Sequence, residues 1–595
     1  MLIIHPDLLF TDASLRMLFA RRLFAVACAL LLVGGSPLSA RAQDDPLPAV
    51  TRTFAITNAR VVQAPGQVLE RATVVVRDGL IEAVGPSVDI PFDAQRIAGD
   101  SLTVYAGFID GFGHIGIDMP KPKEYDVERP GSPPPGRAGI QPERRAATFL
   151  DPSDASVGAW RKIGFTTAHI APEGQMLPGQ GAVALLAGAQ PSAMILEAPT
   201  SLYAQLEGSR GDWNSSVYPS TPMGVLAQFR QLYRETARRR TLLQQYETSP
   251  RGMERPPHDP QHDALLPVVA GERPVAFFSE DVLDIHRILA LKNELGFPLM
   301  LTGLNESFRA VEALRDADVP LFLTLALPDA PDAVVEDSVA AAPVTPAPQG
   351  SFFETDLRTR SHEDVGAEAD ALQRRLKAEV QRYYATPATL RGAGLRFGFS
   401  SKNATATDVR ANLRLMLQHG LSEDAALAAL TTDAAALLGL SDRLGTVEAG
   451  KIANLVVTDG SYFAKDTNVT HVFVEGRVFD YSAEEASGGV TASVEALVGA
   501  WSYSVDTPQQ TFTGTVTLSG TQETLSGTIT SPASGEATPL EDLSFDGTTL
   551  SFAFDAGEIG TVSFSGTVQG DTVDGSASSS YGTFPMMLER TDAPQ

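Results

Sequence analysis

Gly107-Phe108-Ile109-Asp110-Gly111-Phe112-Gly113-His114 decides how the chain folds. It follows the apolar run Leu102-Thr103-Val104-Tyr105 and opens into a loop rich in Gly and Pro. A short apolar run bounded by turn formers reads as a buried strand. Residues two apart on a strand project to the same face, so Phe112 and His114 share one, and the strand ends with one imidazole at the turn.

Upstream, Phe54–Val62 and Thr73–Gly85 read as β-strands, with Asp78-Gly79 as a hairpin turn. Downstream, from Ala106 to about Leu440, short apolar runs alternate with helical patterns. The runs are Gly164–His169, Ala182–Ala187, Pro274–Phe278, Leu299–Gly303, Leu321–Leu325 and Leu395–Ser401; a helix is expected around Val282–Leu295. Such alternation implies a parallel sheet, over this length most simply a (β/α)8 barrel. Two stretches interrupt it. Gly208–Pro260 holds a basic helical piece (Phe229–Tyr246) and a Pro/His loop that places His258 and His262 in solvent. Ala330–Gly350 is rich in Ala and Pro and precedes a charged helix near Asp364–Tyr384. Ser422-Glu423-Asp424 reads as an N-cap with an acidic first turn, Leu427, Leu430, Leu437 and Leu438 as the apolar face, and Gly439 as the C-terminal cap.

The 595 residues suffice for two or three domains, and a formal charge of −26 excludes a phosphate backbone as partner. Near the N-terminus Arg21-Arg22 precedes the apolar run Leu23–Val33, and Ala40-Arg41-Ala42 supplies a cleavage signal before Gln43. Residues 1–42 are therefore expected to be a signal peptide, with Met17 a second candidate start. The run is too short to span a bilayer, so no membrane span is expected after cleavage. Cys28, the single cysteine, leaves with it. Export without disulfides fits a bacterial periplasm or the extracellular space. Residues 482–492 form a linker. Beyond it, residues 493–595 carry closely spaced strands (Thr511–Leu518, Thr524–Thr530, Leu550–Phe554, Thr561–Val568), with Asp546-Gly547 as a turn. They read as a small antiparallel barrel or sandwich.

The 107–114 stretch closely resembles the first-strand signature of the metal-dependent amidohydrolase superfamily, Gly-Phe-Ile-Asp-x-His-x-His. Leu444-Gly445-Thr446-Val447-Glu448-Ala449-Gly450-Lys451-Ile452-Ala453-Asn454-Leu455-Val456-Val457 strongly resembles the segment with which these chains leave the barrel, and Val472–Phe479 follows it. The resemblance runs from roughly Phe54 to Asp480 and is nearest the imidazolonepropionase-like group. It implies an α/β chain: a (β/α)8 TIM barrel (106–440), a flanking composite β-sandwich (43–105 and 441–481) and the C-terminal all-β module.

The resemblance also implies hydrolysis of non-peptide carbon–nitrogen bonds at a divalent metal, zinc in the first instance. The metal acidifies a bound water and an Asp after strand 8 takes its proton. The family's ligand positions are largely altered here. On strand 1 they hold Phe112 and His114. Strand 5 ends at Phe277-Phe278-Ser279, strand 6 at Thr302-Gly303 and strand 8 at Ser400-Ser401, so Phe278, Thr302 and Ser401 stand at ligand positions; strand 4 offers no assignable residue. His114 and, at another strand end, His169 are the candidate metal ligands, and each reads equally as a hydrogen-bonded histidine. Asp110 is expected to support the first-strand turn, and Glu306 to lie at a helix N-terminus.

Two functions follow. One is an exported amidohydrolase-like enzyme with an incomplete metal site. The other is a non-catalytic barrel that binds a small-molecule ligand in its mouth or stabilises an intact amidohydrolase partner. The partner follows from Tyr218–Gly224, which resembles a segment of exported chains whose degenerate barrel accompanies an intact one.

Overall fold

The computed structural model describes residues 52–120, 131–208, 217–328, 354–482 and 497–591, the last span with gaps at 507–510, 522–524, 531–536, 546–548, 557–559, 571 and 580–581. The expected signal peptide, the Ala/Pro-rich stretch, most of the expected linker and the Asp546-Gly547 turn lie outside the described residues. The chain divides into two compact units, Met1–Asp480 and Tyr481–Gln595.

The first unit begins with β1 (Thr53–Ala64), β2 (Gln67–Arg77), β3 (Leu80–Gly85), β4 (Gln95–Ala98) and β5 (Thr103–Ala106). Asp78 and Gly79 both take positive φ, 47° and 86°, so the β2–β3 hairpin turns with the twist of its strands. β1 pairs antiparallel with β2 and parallel with both β4 and β5.

The barrel follows: β6 (Phe108–Gly113), β7 (Phe165–Ile170), β8 (Gly179–Gln180), β9 (Ala182–Leu185), β10 (Ile195–Glu197), β11 (Leu202–Gln205), β12 (Val275–Ser279), β13 (Leu299–Gly303), β14 (Leu321–Thr324) and β15 (Gly398–Ser400). Then β16 (Leu455–Thr458), β17 (Val469–Val474) and β18 (Arg477–Asp480) return to the first sheet. β5 lies between β1 and β16, so both flanks of the barrel build one eight-stranded sheet. Its core gathers Ile56, Val61, Val74, Val104, Leu455 and Phe473. Gly107 N–H donates to Asn454 O at 2.8 Å where the chain passes from sheet to barrel.

β6 and β7 are parallel, and β11 to β15 form a parallel run. The third position departs from the expected (β/α)8 order. β9 runs antiparallel to β7 and β8 antiparallel to β11, so the segment Gly179–Leu185 runs backwards between them. Only residues 171–178 separate β7 from β8. A parallel crossover needs about a dozen residues or more, so this connection can only return the chain antiparallel.

Helices Ala155–Lys162, Pro222–Thr248, Pro260–Val269, Val282–Leu295, Val311–Ala317, Glu354–Gly392 and Val409–Gln418 intervene between and follow the strands. The helix opened by Ser422, whose hydroxyl accepts from Ala425 N, breaks at Thr431 (φ −131°, ψ −87°) into Glu423–Leu430 and Thr432–Leu437. His262 is not solvent-exposed. It lies on Pro260–Val269 with Nδ1 2.8 Å from Thr236 Oγ1, because that helix packs on Pro222–Thr248; His258 stays exposed and meets Asp263 at 2.6 Å. Glu306 caps a helix it does not belong to: Oε2 accepts from Val282 N at 3.0 Å, at the start of Val282–Leu295.

The second unit is a nine-stranded antiparallel sheet, β19 (Gly499–Asp506) to β27 (Gly582–Arg590), in which β27 returns beside β19. Trp501, Val516, Phe552, Phe564 and Leu588 share its core, and Trp501 Nε1–H donates to Leu497 O at 2.9 Å.

Inside the first barrel, Phe322 is fully buried against Gly111 and Gly398, and a Cβ at Gly111 would overlap the Phe322 ring. Gly111→Ala is expected to cost roughly 3 kcal/mol, the upper range for overpacking, in the urea midpoint. Gly111→Ala/Phe322→Leu should recover part of the loss. A double variant no more stable than Gly111→Ala would show that the ring is not the obstacle.

Candidate functional site

In a parallel barrel the loops at the C-terminal strand ends carry the chemistry. Here those ends are closed by a carboxylate. Asp110 is fully buried on β6. Its Oδ1 accepts from Ser401 N at 2.7 Å and from Phe112 N at 3.3 Å, and its Oδ2 accepts from Ser401 Oγ at 2.7 Å. Beside it, Ser400 Oγ donates to Phe112 O at 2.7 Å. Asp110 thus holds the first-strand turn and also ties the first strand to the last. Burial raises its pKa to about 7, although the three donors oppose that rise.

Phe112 points inward and is fully buried with Tyr203, Phe322, Ala276 and Met300; Phe278 packs against them from a half-buried position. Its ring centroid lies 5.8 Å from that of His169, 6.1 Å from that of His114 and 4.8 Å from that of Tyr203. The strand therefore brings both candidate histidines against one phenyl ring.

His169 has both nitrogens engaged. Nδ1–H donates to Gly111 O at 3.0 Å, and Nε2 accepts from Ser201 Oγ at 2.9 Å and Thr200 Oγ1 at 3.0 Å. Burial lowers its pKa to about 4, so it is neutral and its lone pair is committed to two hydroxyls. His114, half-buried, donates Nδ1–H to Ala171 O at 2.8 Å, which makes Nε2 the lone-pair nitrogen. Burial lowers its pKa to about 4 against the pull of that hydrogen bond, with the charge of Lys402 adding to the fall.

Lys402 is the residue that sequence reasoning missed. It follows Ser401 directly, and its Nζ donates to Tyr203 Oη at 2.6 Å and Gln205 Oε1 at 3.1 Å. Tyr203 Oη–H donates to the same Gln205 oxygen at 2.6 Å. Nζ also lies 3.6 Å from the centroid of the Phe278 ring, a cation–π distance. Burial lowers the Lys402 pKa to about 8, and Glu207, Glu280 and Glu173 pull it back up. Tyr203 and Gln205 stand on β11, the strand-4 position that the sequence left unassigned. Their two-residue spacing, with a lysine just past the strand-8 position, was the available signal.

Zinc is held tightly by about three nitrogen, sulfur or carboxylate donors. At the positions where the sequence resemblance leads one to expect ligands, the chain presents the rings of Phe112 and Phe278, the hydroxyls of Thr302 and Ser401, and the second imidazole nitrogen of His114. Ser401 Oγ is committed to Asp110. Thr302 Oγ1 is buried without a hydrogen-bond partner, and a neutral hydroxyl is a poor ligand for zinc. Among the described residues no three His, Cys, Asp or Glu side chains converge on a point. This donor set does not fit the divalent metal that the sequence resemblance implies.

Asp110 sets a pH dependence. Its folded pKa of about 7 exceeds the ordinary 3.8, so the native chain holds this proton more tightly than the unfolded chain. Its contribution to stability is full below pH 3.8 and is lost as pH rises through about 7. Asp110→Asn imitates the protonated form. The destabilisation it causes should therefore shrink between pH 4 and pH 8, by roughly 4 kcal/mol at most. Urea denaturation of both proteins across that range checks this; a constant or growing difference would mean that the carboxylate is ionised throughout.

The amidohydrolase family model matches residues 361–479. Among solved structures, an amidohydrolase from Thermotoga maritima MSB8 is 20% identical with a TM-score of 0.54, the alignment covering 71% of this chain and 99% of that one. A prolidase complexed with N-methylphosphonate-L-proline (16% identity, TM-score 0.41) and a Xaa-Pro dipeptidase with bound methionine in the active site (15%, 0.40) each align over 72% of this chain and 99% and 100% of their own. No curated protein matches the sequence. The last barrel strand and the return segment thus carry the amidohydrolase family's sequence pattern, and the chain shares its fold with the Thermotoga maritima amidohydrolase over most of its length.

Proposed function

We propose that this chain is an exported, non-catalytic amidohydrolase-fold protein. Its barrel mouth holds a small-molecule ligand, and the barrel supports an intact amidohydrolase partner. One observation carries this reading: the Lys402 ammonium lies against Tyr203, Gln205 and Phe278, at the ends of the fourth and fifth parallel positions where a superfamily hydrolase presents metal ligands. A divalent ion about 4 Å from an ammonium would be repelled by roughly 8 kcal/mol at an effective dielectric constant of about 20. The lysine supplies positive charge there from within the chain, and the aromatic rings occupy space that ligands would need.

The catalytic parts point the same way. A metal hydrolase needs a base beside the bound water. Ser401 stands where the family has Asp, and its hydroxyl donates to Asp110. The other reading, a rearranged site on His114, draws on its Nε2 lone pair, which is left available because Nδ1–H donates to Ala171 O.

Elemental analysis of the purified full chain after dialysis against zinc separates the two. We expect well under one equivalent of metal, unchanged in His114→Ala, and no turnover of amide or lactam substrates. One equivalent of zinc lost in His114→Ala would establish the enzyme reading instead.

A further inference from the structure

Lys402 does more than fill a vacated position. Tyr203 and Gln205 beneath it are buried, while Lys402, Phe278, His114, Glu207 and Glu280 are half-buried. Lys402 is therefore partly exposed above packed side chains. Its nitrogen is fixed from two sides, by Tyr203 Oη at 2.6 Å and Gln205 Oε1 at 3.1 Å, and is backed by the Phe278 face at 3.6 Å. Gln205 is itself held, its Nε2 donating to Gly174 O at 2.5 Å and Glu207 Oε2 at 3.2 Å. An amine against an aromatic face, on a partly exposed lysine and in contact with a hydroxyl, is an arrangement from which lysines attack carbonyl carbons.

We infer that Lys402 is a covalent capture site for a small neutral or cationic aldehyde, which it binds reversibly as an imine. The inference rests on the reading above, in which no metal occupies the mouth. The neutral amine adds its lone pair to the carbonyl carbon, and the nitrogen loses a proton as the carbonyl oxygen gains one, giving a carbinolamine. Loss of that hydroxyl with a second nitrogen-borne proton, as one water, leaves the C=N bond. Nothing is oxidised or reduced, and hydrolysis reverses the step.

Tyr203 is the positioning residue that can relay the proton, since its hydroxyl touches Nζ and donates onward to Gln205 at 2.6 Å. Burial, reinforced by Glu207, Glu173 and Glu280, raises the Tyr203 pKa well above its usual value, so this hydroxyl keeps its proton. The depressed pKa of Lys402, about 8, leaves a share of neutral amine near neutral pH that an exposed lysine lacks. The negative charges of Glu207, Glu280 and Glu173 act on the amine, which selects against anionic carbonyl compounds such as 2-oxo acids.

Lys402 is one of eight lysines in the sequence, which makes the test readable by peptide mapping. The full chain is incubated with propanal or glyoxylate at pH 7.5, reduced with cyanoborohydride, digested and examined for alkylated lysines. Propanal should label Lys402 at least ~10-fold faster than Lys162, Lys292 and Lys465, and faster than glyoxylate does. Tyr203→Phe keeps the ring and should slow labelling at Lys402 alone, with Lys162 unchanged. Labelling of Lys402 no faster than that of the other lysines, in a sample whose circular dichroism and melting are native, overturns the inference. Zinc content measured on the same sample separates the two failures. Unlabelled and metal-free protein sinks the capture site alone; unlabelled protein with one equivalent of zinc sinks the metal-free reading as well.

Discussion

The Asp110 carboxylate is the constraint on which the first unit depends. It is fully buried, yet it receives two backbone N–H groups and a hydroxyl, at Phe112, Ser401 and Ser401 again. Three donors aimed at one group are what make its burial tolerable. They join the first strand to the residue after the last one, so the ends of the parallel array cannot part without exposing an unsatisfied acid. Gly113 is required by the same contact, since a Cβ there would run into Ser401 Oγ and Asp110 Oδ2. Ser401 is therefore tied to closure, whatever an acidic residue at that position does elsewhere.

Once Ser401 serves closure, the mouth has neither a base nor a strong anionic ligand at that position. What occupies the space is consistent in sign and polarity. Phe112, Phe278 and Phe322 supply apolar volume, and one lysine supplies the only charge that this aromatic wall favours. Lys402 Nζ over Phe278, with Tyr203 and Gln205 as acceptors, is a satisfied arrangement and not a remnant. Thr302 is the contrast: its hydroxyl is buried and without a hydrogen-bond partner.

How much of this the sequence reveals depends on the range of the interaction. The strands around 107–114, 299–303 and 321–325 are readable because their apolar runs exceed what a loop tolerates, and the Asp78-Gly79 hairpin because its φ values need those residues. The backward third position is hidden: Ala182–Leu185 has the same apolar content in either direction, and only the length of the 171–178 connection sets its sense. His262 looks like a loop histidine because its partner, Thr236, is 26 residues away on another helix. Lys402 is hard to place for the same reason, with partners 199 and 197 residues upstream.

The choice of cation carries a further consequence. The sequence has 46 basic residues, of which eight are lysine. Charge alone at the barrel mouth would be met by arginine, which hydrogen-bonds acids in a fork and stays protonated at any pH the cell meets. Burial of a lysine gives something different: a cation whose proton is held loosely enough to leave, as the fall to about 8 at Lys402 shows. Glu207, Glu280 and Glu173 limit that fall without cancelling it. A barrel that kept positive charge at the mouth only for packing would gain nothing from an amine able to surrender its proton. The residue type, set in contact with a tyrosine hydroxyl at a half-open position, is better matched to chemistry on a ligand than to structural support alone.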